Sequence, residues 1–217
     1  MLKEIKLGFK LLKYSYKLKM NVGMLIFFLA IGVFSEVTTK GTSIIGGIYF
    51  MLCGMFAYQM VMSMDVSQMI QSTAMKKKLQ IYIPAMVSFI IYMVVYTFIV
   101  IERIILIQNH VADAGELSYA LFSVDIVMIS VFLFTSICYK YFLLGFIMFI
   151  GIFMPSYTAT MVSGVMLVME KLPFAVNVAI GYAIIILGTL LQIGVGTLLY
   201  KKPLSEFAFR GIFRDAK

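Results

Sequence analysis

Asp125 is the residue whose type and position most invite chemistry. It stands about a third of the way into the apolar run SYALFSVDIVMISVFLFTSI, residues 118–137, near Ser123 and Ser130. A carboxylate at membrane depth costs several kcal/mol unless it is paired, hydrated or protonated. Two readings stand open. One makes Asp125 part of a pathway or gate, paired with Arg103. The other makes it an outer-interface carboxylate or a helix contact capped by Tyr and Ser hydroxyls. The single histidine, His110, sits among Asn109, Asp113 and Glu116 in a polar stretch and reads as a solvated loop residue. Cys53 and Cys138 fall in or beside apolar runs and read as free thiols, with neither a disulfide nor a metal site suggested.

Familiar catalytic patterns are missing from the sequence. It contains no Gly-x-x-x-x-Gly-Lys-Ser/Thr loop, no HExxH, no GxSxG and no cysteine/histidine cluster with metal spacing. The chain is therefore not expected to be an enzyme, to hydrolyse ATP alone, or to bind a metal or cofactor. Asn177 and Gln192, also in apolar surroundings, are expected to hydrogen-bond between helices.

The elements that position these residues follow from composition. Of 217 residues 62% are hydrophobic and only 13% charged, too little polar surface for a soluble domain of this size. Apolar runs of spanning length recur, and the alternation of a membrane β-barrel is absent. The fold class is an all-α, polytopic membrane protein, read as one transmembrane domain over 1–217. A cleaved signal peptide is not expected, because residues 1–20 lack an uninterrupted apolar core.

Six spans are expected, at about 22–35, 44–63, 81–101, 119–139, 141–154 and 175–199. Ahead of them, Lys3, Lys6, Lys10, Lys13 and Lys17 recur at helical spacing. Leu2, Ile5, Phe9, Leu12 and Tyr16 form the adjacent apolar stripe. Residues 1–20 thus read as an amphipathic helix lying in the membrane plane. Gly46, Gly47 and Gly54 allow close helix contact in the second span. Pro155 and the SYTAT after it predict an end to the fifth helix, then a broken or re-entrant segment within 155–174. One long kinked helix is the alternative there.

Charge sets the orientation. With six spans, 15 of the 18 Lys and Arg residues fall on the side of the termini and three on the other. The net charge of +8 then reflects orientation and not nucleic-acid binding. The termini, residues 64–80, Lys140 and the basic tail 200–217 are expected in the cytoplasm of a plasma-membrane protein.

The longest polar interruption is 64–84, MDVSQMIQSTAMKKKLQIYIP. Ser63 or Asp65 suits a helix start. Val66, Met69, Ile70 and Thr73 share a helical face suited to a partner groove, and Lys76, Lys77 and Lys78 would anchor the next span at an anionic membrane surface. The spans are also rich in Met and Phe, including Met86, Met93, Met128 and Met148. A cavity lined that way suits hydrophobic or amphipathic cargo.

In this order of parts, over almost its whole length, the chain resembles the membrane subunit of an ABC exporter of the ABC-type-two permease class. The most local match is QSTAMKKKLQIY, residues 71–82. Ser72-Thr73-Ala74-Met75-Lys76-Lys77 stands where small bacterial permeases often carry Leu-Pro, a polar residue and Arg or Lys; the proline is absent here. The resemblance implies that residues 1–20 are an elbow helix and that about 66–75 is a coupling helix, with Asp65, Val66, Met69, Ile70 and Thr73 docking on a separate ATPase subunit. It further implies two ATPase copies carrying ATP and Mg2+, and a second permease subunit, identical or paralogous. The short chain is similar to exporters of small amphipathic peptides such as phenol-soluble modulins. A stand-alone secondary transporter or channel, and a membrane immunity protein that transports nothing, are the alternatives.

Overall fold

The computed structural model describes all residues except 1, 17, 67–71, 161–172, 209 and 211–217; within the helices the side chains of 2–5, 156, 157, 159 and 160 are also left undescribed. Among the described residues the chain is helical, with no strand. The helices are α1 (Leu2–Leu12), α2 (Leu18–Thr39), α3 (Ile44–Met62), α4 (Ile83–Gln108), α5 (Ala114–Ile137), α6 (Phe142–Thr160) and α7 (Phe174–Leu199). A 3-10 turn, Ser63–Val66, extends α3, and a π turn, Lys78–Tyr82, leads into α4.

Five stretches are long and apolar enough to cross a membrane: Leu18–Thr39, Ile44–Val66, Lys78–Gln108, Ala114–Ile137 and Phe174–Leu199. The 22 residues of α2 extend about 33 Å at 1.5 Å per residue, matching a hydrocarbon core of about 30 Å. Phe142–Pro155 is a shorter apolar helix.

Local chemistry sets the helix ends. The Ser43 and Asp113 side chains each accept the backbone N–H two residues on, at 3.2 Å and 3.1 Å, capping α3 and α5. Two C-terminal ends close alike. At α2, Lys40 takes φ 51 and the Gly41 N–H reaches back to the Glu36 carbonyl at 3.1 Å. At α4, His110 takes φ 53 and the Val111 N–H reaches the Leu106 carbonyl at 3.0 Å.

The most buried helix is α5, which lies against α3, α6 and α7. The main core joins Phe50 and Met51 of α3, Tyr92, Tyr96 and Ile99 of α4, Leu121, Val124 and Phe132 of α5, and Ile185 of α7. The three glycines of α3 permit this closeness. A Cβ on Gly46 would strike Glu36, one on Gly47 would strike Val124, and one on Gly54 would strike Tyr92.

Several boundaries differ from the sequence reading. The N-terminal helix stops at Leu12, turns through 13–16, and α2 begins at Leu18. Its protein-facing side holds Leu7, Gly8, Leu11 and Leu12, packed on Val61, Ile83 and Val87, whereas Phe9 points outward. Glu36 belongs to α2 and Arg103 to α4, not to polar turns. Their charges meet inside the bundle, so neither ends its helix. Pro155 does not end α6, which continues to Thr160. The ring crowds the carbonyl of Gly151, four residues earlier, where an added Cβ would meet nothing within 4 Å. The rest of the expected re-entrant segment, 161–172, lies outside the described residues.

Candidate functional site

Buried polar side chains occur at three levels of the bundle. At the end formed by the α2–α3 and α4–α5 turns, the Arg103 Nη2 lies 3.0 Å from Glu36 Oε2 and 3.2 Å from Oε1. Glu102 lies 3.9 Å from the other terminal nitrogen. Arg103 is fully buried and Glu36 nearly so. A Cβ on Gly41, at φ 72, would collide with the guanidinium, so that turn accepts Gly for two reasons, its positive φ and the space beneath it. Arg103 is thus paired with Glu36, and the Arg103–Asp125 pair, part of one of the two readings the sequence left open, is not found among the described residues.

In the middle level Asp125 is 1% exposed. Its Oδ1 and the Tyr96 hydroxyl both press on the bare Cα of Gly181 in α7; a Cβ there would lie 2.6 Å from Oδ1 and in hard contact with the phenol oxygen. One turn earlier, Asn177 donates to the Ser118 Oγ at 2.6 Å and to its carbonyl at 3.0 Å. The Tyr96 hydroxyl lies 3.4 Å from the Asn177 carbonyl. Below this level the Tyr92 and Phe132 rings meet at 4.8 Å, seated against Gly54 and Gly188. Further down, Gln192 of α7 donates to Thr135 Oγ1 at 2.7 Å and accepts from Ser88 at 3.2 Å. Gln192 and Asn177 are inter-helix ties, as the sequence suggested.

The third level is the lysine-rich end. Ser63 Oγ meets Ser15 Oγ at 3.1 Å and accepts the Tyr16 N–H at 3.3 Å, fastening α3 to the N-terminal turn. Asp65 is 1% exposed, near Lys140 and Lys76. It is therefore buried beside the two lysines, and not on the exposed face of the segment. Burial pushes the Lys140 ammonium below its usual value, against the opposing pull of Asp65. Lys140 donates to the Lys202 carbonyl at 2.8 Å, and the Ser205 N–H reaches the Tyr139 carbonyl at 2.8 Å. The start of the tail is thereby fixed to the α5–α6 turn. A cavity of about 20 Å³ lies between Tyr58, Gln80, Thr135, Tyr139, Lys140 and Tyr200, room for one water.

Between Val66 and the π turn, residues 72–75 form exposed turns and do not continue a helix. Val66 packs against the cluster of Tyr58, Met62, Cys138 and Tyr139, and Thr73 is exposed. Met69 and Ile70 lie outside the described residues. The Lys76 ammonium sits 5.9 Å from the Tyr200 ring centre, and Lys77 and Lys78 are exposed.

No family model, curated protein or solved structure matches this chain. The functional reading therefore rests on the chain's own residues. Sequence reasoning passed over Glu36 as a partner for Arg103, and Tyr96 and Gly181 beside Asp125. The spacing Gly181, Gly188 was the available signal, since small residues seven apart mark one close-packed face of a membrane helix.

Proposed function

We propose that this chain is the membrane subunit of an ATP-driven exporter of hydrophobic or amphipathic cargo, moved by a separate cytoplasmic ATPase. The five long helices and α6 make six spans, with both termini, residues 64–80 and Lys140 in the cytoplasm. In this reading α1 is the elbow helix. Two ATPase copies and a second permease subunit complete the transporter.

One observation carries the reading. The segment between α3 and α4 is rooted at both ends and exposed at 72–75. Ser63 and Asp65 are buried at one root, Gln80 and Ile81 at the other, while 72–75 stand in the open. Force applied to such a segment passes directly into two packed spans, and α1 braces the second root through Ile83 and Val87. The lysine-rich end suits the anionic cytoplasmic surface. The docking face is assigned to Met69, Ile70 and Thr73, with Val66 as its inner edge and Asp65 as a support.

The test is to purify the tagged chain from its native membrane and measure ATP hydrolysis in the complex. Hydrolysis should accompany the chain and fall at least tenfold with Met69→Asp or Ile70→Asp. Absence of any ATPase from the stable chain would overturn the proposal. Asp125, a buried acid with no salt bridge among the described residues, favours a second reading, a stand-alone secondary transporter. Cargo movement driven by an ion gradient without nucleotide would distinguish it.

A further inference from the structure

We propose that Asp125 and Tyr96 form a proton-binding site in the core of the bundle, with the proton carried by the Asp125 carboxyl. It stands apart from the ATPase reading and holds whichever energy source drives the protein.

The surroundings of Asp125 decide what it binds. Apart from the Tyr96 hydroxyl beside it, neither carboxylate oxygen has a hydrogen-bond partner among the described residues, although the residue is 1% exposed. No salt bridge to it occurs among the described residues; Arg103 is held by Glu36 and Glu102. The lysines of the other end are separated from it by the Tyr92–Phe132 contact. An ionised carboxylate needs donors, and this site offers few. The Tyr96 hydroxyl, its one near donor, stands between it and the Asn177 carbonyl at 3.4 Å and can serve either. The Asn177 amide nitrogen is occupied by Ser118, and the Asn177 Oδ1 is itself without a donor.

A carboxylic acid has what the site lacks, because its O–H is a donor. Directed at the Tyr96 oxygen, it starts a continuous chain: Asp125 O–H to Tyr96, Tyr96 O–H to the Asn177 carbonyl. One added proton thus lets Asp125 and Tyr96 donate in series. The glycine at 181 gives the two oxygens their common space.

Among the described residues, other titratable groups facing the site are few, and α6 supplies none. From α4 they are Tyr96 and, one turn away, Tyr92. From α7 there is Tyr182, whose hydroxyl pairs with Thr97 at 2.9 Å and whose ring meets that of Tyr96 at 5.1 Å. The neighbouring α3 surface is Gly47, Phe50 and Met51, with no ionisable group. A metal cation would have to replace the proton with several oxygens at once. Among the described residues Asp125 is the one carboxylate at this level, and sodium dependence separates a metal cation from a proton.

The test is infrared spectroscopy of the full chain alone in lipid nanodiscs, in sodium and in choline chloride. A protonated-carboxyl C=O band should be present at neutral pH in both salts. It should be missing from Asp125→Asn and should shift in frequency in Tyr96→Phe, which removes its acceptor. A neutral-pH spectrum that Asp125→Asn leaves unchanged in this region would overturn the proposal. So would a band that disappears when sodium replaces choline, which would make the ligand a metal cation. Should Asp125→Asn not assemble, Tyr96→Phe decides, and an unshifted band there counts against the site. The experiment contains no ATPase, so its outcome is independent of the coupling proposal.

Discussion

The Arg103 guanidinium of α4 lies 3.0 Å from the Glu36 carboxylate of α2, with side-chain exposures of 0% and 4%. This pair fastens the most exposed spanning helix to the bundle at the end opposite the lysines. Removing one member strands the other. Glu36→Ala is expected to cost about 3–5 kcal/mol, as broken buried pairs do. The double variant Glu36→Leu, Arg103→Met should be more stable than Glu36→Ala alone. Thermal unfolding in detergent reads both, and a double variant no better than the single one would count against a paired role.

Close packing at Gly181 makes a second prediction. Gly181→Ala places a methyl against both Tyr96 and Asp125 and should cost about 1–3 kcal/mol, the usual range for an overfilled core. Gly194, in the same helix, has open space around it. Gly194→Ala should leave the unfolding temperature unchanged or slightly raised.

Gln192 ties α7 to α4 and α5 at once. Gln192→Leu should cost about 1–2 kcal/mol, the scale of hydrogen bonds between membrane helices. Ser88→Ala added to Gln192→Leu should cost little more, since they share one bond. A fully additive double variant would show that the Ser88 bond does not form.

Orientation can be read by labelling. Cys53 and Cys138 are buried, so the native background is low. A membrane-impermeant maleimide applied to intact cells should label His110→Cys and leave Thr73→Cys unlabelled until the membrane is opened. The reverse pattern would invert the assigned sidedness.

The helical class, the long apolar elements and the crowding at Gly46, Gly47 and Gly54 were legible in the sequence, because they follow from hydropathy and residue size. Helix ends near charged residues were not. Glu36 and Arg103 read as span limits on local polarity, yet a partner 67 positions away keeps both inside their helices. Pro155 misled too, since the helix runs on past it to Thr160. At the candidate sites, Asp125 was visible as an isolated acid but its neighbours were not, because Tyr96 and Gly181 come from different helices. Asp65 read as a docking residue and is buried, with Lys76 of the same stretch and Lys140, distant in sequence, beside it.

The central claim is that residues 64–80 engage a cytoplasmic ATPase. Its most direct test is a photoreactive amino acid at Thr73, illuminated in native membranes, with the crosslinked partner sequenced by mass spectrometry. The expected partner is a protein carrying a Gly-x-x-x-x-Gly-Lys-Ser/Thr loop, crosslinked at Thr73 but not from the same probe at His110. Crosslinks from Thr73 to lipid alone, or to proteins without a nucleotide site, would contradict it.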